Sequence, residues 1–303
     1  MRKTLFTVVA VLLPAWVAAQ AGAPLPSSPS APPRFEVWAG GIRTPATSDG
    51  TLQSDYAPPL VFGTGTGSLS QTLTVESSGS WGFEFGARVY LTSHIGLEAS
   101  GSRSSATLSG ANAPYDLALD YIARQPPSYE PKPYQFARTL EWADTEGDLT
   151  STTFRVGPVI GWSQRGGPLS GTVSGGLALR RHTGVVTSLA YTAFHMGGHS
   201  TLFYSEHRVD VEPDPDTWCR SSYLSADLRV RVAARVRLSG GVRVHVGSRL
   251  QTVPVRVVGL VDPNDDVFVP EVSTVTAALE PGATMNIPVT RWQAFAGIVF
   301  VLK

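Results

Sequence analysis

The feature that most limits what this chain can become is a strict two-residue alternation between an apolar face and a polar one. In residues 81–91 (WGFEFGARVYL), Trp81, Phe83, Phe85, Ala87, Val89 and Leu91 fall on one face, and Gly82, Glu84, Gly86, Arg88 and Tyr90 fall on the other. Successive side chains of a strand point to opposite sides, so this period reads as strand. Residues 95–102 set Ile95, Leu97 and Ala99 against Gly96, Glu98, Ser100 and Ser102. Residues 153–162 set Phe154, Val156, Ile160 and Trp162 against Thr153, Arg155, Gly157 and Gly161. In 223–236, Leu224, Ala226, Leu228, Val230, Val232 and Val236 oppose Ser225, Asp227, Arg229, Arg231 and Arg235. In 241–249, Val242, Val244 and Val246 oppose Arg243, His245, Gly247 and Arg249. Segments 34–43, which holds Glu36, and 171–181, which holds Arg180, alternate more weakly because Gly and Ala dilute the contrast. The last segment, 291–302, puts Trp292, Ala294, Ala296, Ile298, Phe300 and Leu302 on one face.

These eight segments are joined by connections that alternate in length. Short turns are expected at 92–94, at 164–169 and at about 237–240, and long segments at 45–79, 108–148, 190–221 and 257–289. Long connections are uncommon in compact soluble domains. An even strand count with alternating short and long connections is the pattern of a membrane-spanning barrel. The expected fold is therefore all-β: an eight-stranded antiparallel up-and-down transmembrane β-barrel. Segments 68–76 and 267–279 are themselves strand-like, and a ten-stranded barrel is the alternative.

Alternation alone does not say which face is outside. A lipocalin-like soluble barrel would turn the apolar face inward around a ligand. The polar face argues for the inverse: it is rich in Gly and Ser, as side chains crowded into a narrow lumen require, and its charges are of both signs. Glu36, Glu84, Glu98 and Asp227 stand there with Arg88, Arg155, Arg180, Arg229, Arg231, Arg235, Arg243 and Arg249. Arg suits buried bidentate pairing with carboxylates, and only three of the chain's 24 basic residues are Lys. An interior of eight strands is just wide enough for side chains to fill, so these twelve residues are expected to form an ion-pair network that plugs the lumen. Aromatic residues near the segment ends (Trp81, Trp162, Trp292, Phe300) fit interfacial girdles.

The ends of the chain agree with export. Arg2 and Lys3 precede an apolar run from Leu5 to Ala19, and Ala19-Gln20-Ala21 has the small-x-small form of a cleavage site. Residues 1–21 are read as a signal peptide, 22–33 as a disordered Pro/Ser-rich leader, and 34–303 as the barrel. A lone Cys219 excludes an intramolecular disulfide framework and a Cys-based zinc site. Formal charge is zero, or about −2 without Arg2 and Lys3, which gives no argument for nucleic-acid binding.

From residue 34 to the end the pattern resembles small outer-membrane β-barrels of the OmpA/OmpX type, with their opacity-protein-like and OmpW-like relatives. Within the closing strand, Gly297, Phe300 and Leu302 look like the C-terminal assembly signal of that class, although the chain ends on Lys303 instead of an aromatic residue. The resemblance implies the outer membrane of a Gram-negative-type bacterium. It implies contact with outer-membrane lipid and lipopolysaccharide, delivery by the barrel-assembly machinery, and a monomer. Some barrels of this size are lipid A acyltransferases or deacylases that use His with Ser and an acid. Here His195, His199 and His207 lie in one connection with Ser200, Ser205 and Asp210, yet adjacent strand residues such as His199 and Ser200 point to opposite faces. Asp262-Pro-Asn-Asp-Asp266 has calcium-like composition without the spacing of an EF-hand loop. No cofactor, metal site or catalytic residue is therefore assigned. The expected role is a non-enzymatic structural or surface-interaction barrel (envelope integrity, adhesion, or binding of an extracellular ligand). A lipid A-modifying enzyme and a narrow porin-like channel for small solutes are the alternatives.

Overall fold

The computed structural model describes residues 34–56, 64–110, 114–124, 131–141, 145–164, 167–195, 202–247, 250–261, 283–288 and 292–302. Within them the chain forms sixteen strands and no helix long and apolar enough to cross a membrane. They come in chain-consecutive pairs. β1 (Arg34–Thr44) leads through Pro45 and Ala46 into β2 (Thr47–Tyr56), and β3 (Thr64–Ser77) through Ser78 and Gly79 into β4 (Ser80–Tyr90). β5 (Ile95–Gly110) precedes β6 (Pro114–Arg124), and β7 (Pro131–Glu141) precedes β8 (Thr145–Ser163). β9 (Leu169–Thr183) breaks at Gly184 and Val185 before β10 (Val186–His195), and β11 (Leu202–Pro213) precedes β12 (Cys219–Arg231). β13 (Val236–Val246) is followed by β14 (Leu250–Val261), then β15 (Ala283–Pro288) and β16 (Trp292–Leu302). Gly184 has a φ of 138°, a conformation that favours glycine, so this break is written into the sequence.

All pairings are antiparallel. Every strand except β6 and β7 belongs to one closed circuit, and the β5–β8 pairing divides that circuit into two tiers. The first tier runs β1-β4-β5-β8-β9-β12-β13-β16 and back to β1, with Gly40 of β1 opposite both Glu84 of β4 and Gly297 of β16. The second tier runs β3-β2-β15-β14-β11-β10, with the β6–β7 hairpin added on β3. β10 reaches β8 at one position, Val186 opposite Gly147, and β7 ends the sheet order as an edge strand.

Sixteen strands correct the expectation of eight, or of ten. The segments read as long connections contain strand: β2, β3, β6, β7, β11 and β15 lie in them, and β10 and β14 run into them. Segment 68–76 falls within β3, whereas 267–279, the Asp262–Asp266 run and residues 1–33 lie outside the described residues. The turn expected at 237–240 is at 232–235 instead, because β13 already starts at Val236. Its amides close back on Val236, with Val232 and Ala233 donating to that carbonyl.

The inward face keeps its parity through the breaks but changes chemistry. In β1 and β2 the even positions Glu36, Trp38, Ile42, Thr44 and Leu52 are buried. In β14 it is Gln251, Val253 and Val255, and in β15 it is Met285 and Ile287. Among the described side chains only β3–β4 switches, from buried Val75 to buried Ser80, across the two inserted residues. Inside the first tier the buried side chains are mainly Glu, Arg, Asp, Ser and Thr, with Trp38, Ile42, Tyr90, Val159, Tyr223 and Val299 beside them; inside the second they are mainly Leu, Val, Ile and Met, with Gln251. The outer face changes in the opposite sense. Trp81, Phe83, Phe85, Leu97, Phe154, Val156, Leu228 and Val242 are exposed on the first tier, and Thr74, Glu76, Thr252 and Arg256 on the second.

Candidate functional site

The first tier closes around a charged cluster whose members are supplied one or two at a time by neighbouring strands. Register alone places several of them side by side. Arg88 is opposite Glu98, Ser100 opposite Arg155, Thr172 opposite Asp227, and Arg243 opposite both Ser225 and Gln293. Each is on the inward parity of its strand and is buried.

Two groups result. In one, Glu84 receives Arg243 through two nitrogens, Nη1 to Oε2 at 2.5 Å and Nη2 to Oε1 at 2.9 Å. Arg155 Nη2 donates to Glu84 Oε2 at 2.7 Å and also to Ser102 Oγ at 2.8 Å. In the other, Arg88 Nε donates to Glu98 Oε2 at 2.5 Å, and its Nη1 lies 3.3 Å from Asp227 Oδ2. Arg229 donates to the same Asp227 oxygen at 3.0 and 3.1 Å and reaches across to Glu36 Oε2 at 2.6 Å. Ser174 and the Thr172 amide supply further donors, to Glu98 at 3.2 Å and to Asp227 at 3.0 Å. Glu36 also pairs with Arg34 and, at 3.6 Å, with Arg237.

Trp38 joins the two groups. Its indole N–H donates to Glu84 Oε1 at 3.1 Å, and the Arg88 guanidinium stacks over its ring at 4.3 Å. The ring occupies the space beside Gly86, where an added Cβ would meet it at 2.2 Å. Glycine is needed there because a side chain from the next strand already fills its place.

Of the twelve residues expected to share this interior, nine are buried in it: Glu36, Glu84, Arg88, Glu98, Arg155, Arg180, Asp227, Arg229 and Arg243. Arg180 is the one of the nine without a carboxylate among the described residues; its Nε reaches Thr153 Oγ1 at 3.4 Å. Arg231 and Arg235 are corrections. Both are exposed, because β12 ends at Arg231 and Arg235 belongs to the turn that follows. Arg249 lies outside the described residues. Sequence reasoning missed Arg34, Trp38 and Arg237. Arg34 and Trp38 share the parity of Glu36, and Arg237 shares that of Arg243; the misplaced turn had removed Arg237 from the strand.

The remaining candidates sit elsewhere. Gly297, Phe300 and Leu302 are on β16 at the seam with β1, the latter two pointing outward. His195 is at the end of β10 opposite Leu202, and His207 on β11 is opposite Ala190. Five positions separate them along the ladder, about 17 Å at strand rise, so the register does not gather them. His199 and Ser200 lie outside the described residues. Among the described residues no three His, Cys, Asp or Glu side chains gather as a metal-ligand set.

No protein-family model and no curated protein sequence matches the chain. Among solved structures, the crystal structure of the outer membrane protein OprG from Pseudomonas aeruginosa is similar, with a TM-score of 0.39 and 6% sequence identity, over 89% of this chain and 95% of that one.

Proposed function

We propose that the first tier is a bilayer-spanning barrel of an outer membrane, that its charged interior is a structural plug, and that the second tier is displayed outside as a surface for interaction. The observation that carries this reading is the reversal of the strand faces between tiers. The outer surface of the first tier is a continuous apolar belt, far beyond the scattered patches that soluble monomers expose. Along β4 and the residue after it the apolar positions run from Trp81 to Leu91. Ten residues of strand span about 33 Å, or about 25 Å when tilted as barrel strands are, the height of an apolar membrane band. Exposed Trp81, Trp218 and Trp292 rim the belt at the tier junction, and Phe35, Trp162 and Phe300 rim it at the end with the short turns. A soluble ligand carrier would need the opposite arrangement, and charges would not fill its cavity.

The plug follows from the ion pairs. Among the described residues the two groups fill the interior at mid-height, and the cavity at the short-turn end has about 10 Å³ open to the centres of water molecules, room for roughly one. Pairing of this kind holds the ring in one arrangement, since removing one partner leaves a buried charge exposed to no counter-charge. The role proposed is non-enzymatic. Lipid and lipopolysaccharide are its surroundings, and the barrel-assembly machinery is the partner that would read β16.

Semi-native gel electrophoresis of protein from a washed outer-membrane fraction tests the reading. The unheated form is expected to migrate faster than the heated one. A soluble protein without a heat shift overturns it. Planar-bilayer recording tests the plug separately, and steady single-channel steps would reject it. An unchanged mass spectrum of lipid A on expression is expected of a non-enzymatic barrel; altered acylation would reject that part.

A further inference from the structure

Arg180 is the charge that the plug leaves over. It is 3% exposed, and among the described residues the hydroxyl of Thr153 accepts from it and no carboxylate pairs with it. A buried guanidinium without a counter-charge is a costly group to keep unless something completes it. It lines a cavity at the tier junction with about 60 Å³ open to the centres of water molecules. No carboxylate is among the described residues that line this cavity. Around Arg180 the lining is polar, with Ser151, Thr153, His182 and Gln293. Toward the second tier it gains an apolar wall of Val75, Leu108, Leu149, Met285 and Ile287, all buried.

We propose that this cavity is a binding site for a small aliphatic monocarboxylate, its carboxylate on the Arg180 guanidinium and its alkyl tail against the apolar wall that includes Met285 and Ile287. One cation fixes one negative charge. The planar fork of Arg matches a carboxylate through two parallel hydrogen bonds. The change from polar to apolar lining along one cavity selects an anion with a tail over chloride or inorganic phosphate. The volume suits a chain of about four to six carbons. The site goes beyond the proposed envelope role and needs no open path through the first tier.

Isothermal titration calorimetry on the full folded chain in detergent micelles, with hexanoate as the probe, tests this. Saturable one-to-one binding is expected, with 1-hexanol and inorganic phosphate each at least tenfold weaker. Arg180→Gln should weaken hexanoate at least tenfold and leave 1-hexanol unchanged. Met285→Trp, which fills the apolar wall and spares the charge, should weaken hexanoate more than acetate. Each variant is first shown to keep the heat shift of the parent, which separates loss of the site from loss of the fold. Absence of saturable hexanoate binding to the parent, or equal binding by the Arg180→Gln variant, overturns the proposal. Phosphate binding as tight as hexanoate would also overturn it, by making the site one for anions in general.

Discussion

The two tiers are built from the same strands, yet they solve opposite problems. In the first, Phe85 and Leu97 face outward while Glu84 and Glu98 are buried beside them; in the second, Leu52, Val253 and Met285 are buried while Thr74, Glu76 and Thr252 face outward. The first tier is stabilised from inside by ion pairs that have lost their water. The second is stabilised by apolar burial of the ordinary kind. One ladder can carry both because the backbone pleat sets only which side chains share a face, and composition sets what that face prefers. The lesson is that a strand's polarity is a property of its surroundings at each height, and a break of two residues is enough to change it.

The comparison breaks first at its charges. Glu84→Gln leaves Arg155 and Arg243 buried without a carboxylate, and chemical unfolding of the folded barrel is expected to show a loss of about 3–5 kcal/mol. Glu212→Gln removes the partner of Arg256, a side chain 53% exposed on the second tier, and the same measurement should register less than about 1 kcal/mol. Equal losses would mean that the first-tier interior is as wet as the surface.

The outer faces give the next contrast. Phe85→Arg, near the middle of the apolar belt, is expected to destabilise the vesicle-embedded protein by about 2–4 kcal/mol. Thr107→Arg, exposed on β5 toward the second tier, should stay within about 0.5 kcal/mol of the parent. If the two behaved alike, the belt would be facing water and not lipid.

A smaller effect tests the packing between the two ion-pair groups. Gly86→Val thrusts a side chain into the Trp38 ring and should cost about 1–3 kcal/mol. It should also change the near-ultraviolet circular dichroism of the indole, which an unstrained insertion would leave alone.

The smallest effect belongs to the turn that joins the tiers between β11 and β12. Asp214 accepts the Thr217 hydroxyl at 2.7 Å and the Asp216 amide at 3.1 Å, and these bonds hold its carboxyl below the ordinary range. A carboxyl depressed in the folded state stabilises it above the unfolded pKa, and that contribution is lost as pH falls through the folded value. Asp214→Ala should therefore lower the melting temperature slightly at neutral pH and make no difference in strong acid. A difference that grew as pH fell would reverse the assignment.

The faces of the first tier are legible in the sequence because their alternation is strong. Residues 81–91, 153–162 and 223–231 need no partner to declare which side chains lie together. The second tier is harder to read, because its inward set in 250–256 is Gln251, Val253 and Val255 and its outward set holds Thr252, Pro254 and Arg256. That contrast is too weak and too short to stand out from a connection. Arg231 and Arg235 keep the right period but lie beyond the end of the strand's buried stretch, where parity no longer means burial.

Residue order by itself determined which side chains share a face, since the pleat is local and repeats every two residues. It also determined that an excess of Arg would share the charged face. Tertiary structure decided which acid meets which base. Arg88 finds Asp227 across 139 residues and Arg229 finds Glu36 across 193, distances in sequence that only closure of the ring abolishes. It likewise decided which Arg would be left over. Pairing depends on the height at which each strand crosses the interior, and Arg180 crosses at the tier junction, where no described carboxylate reaches it.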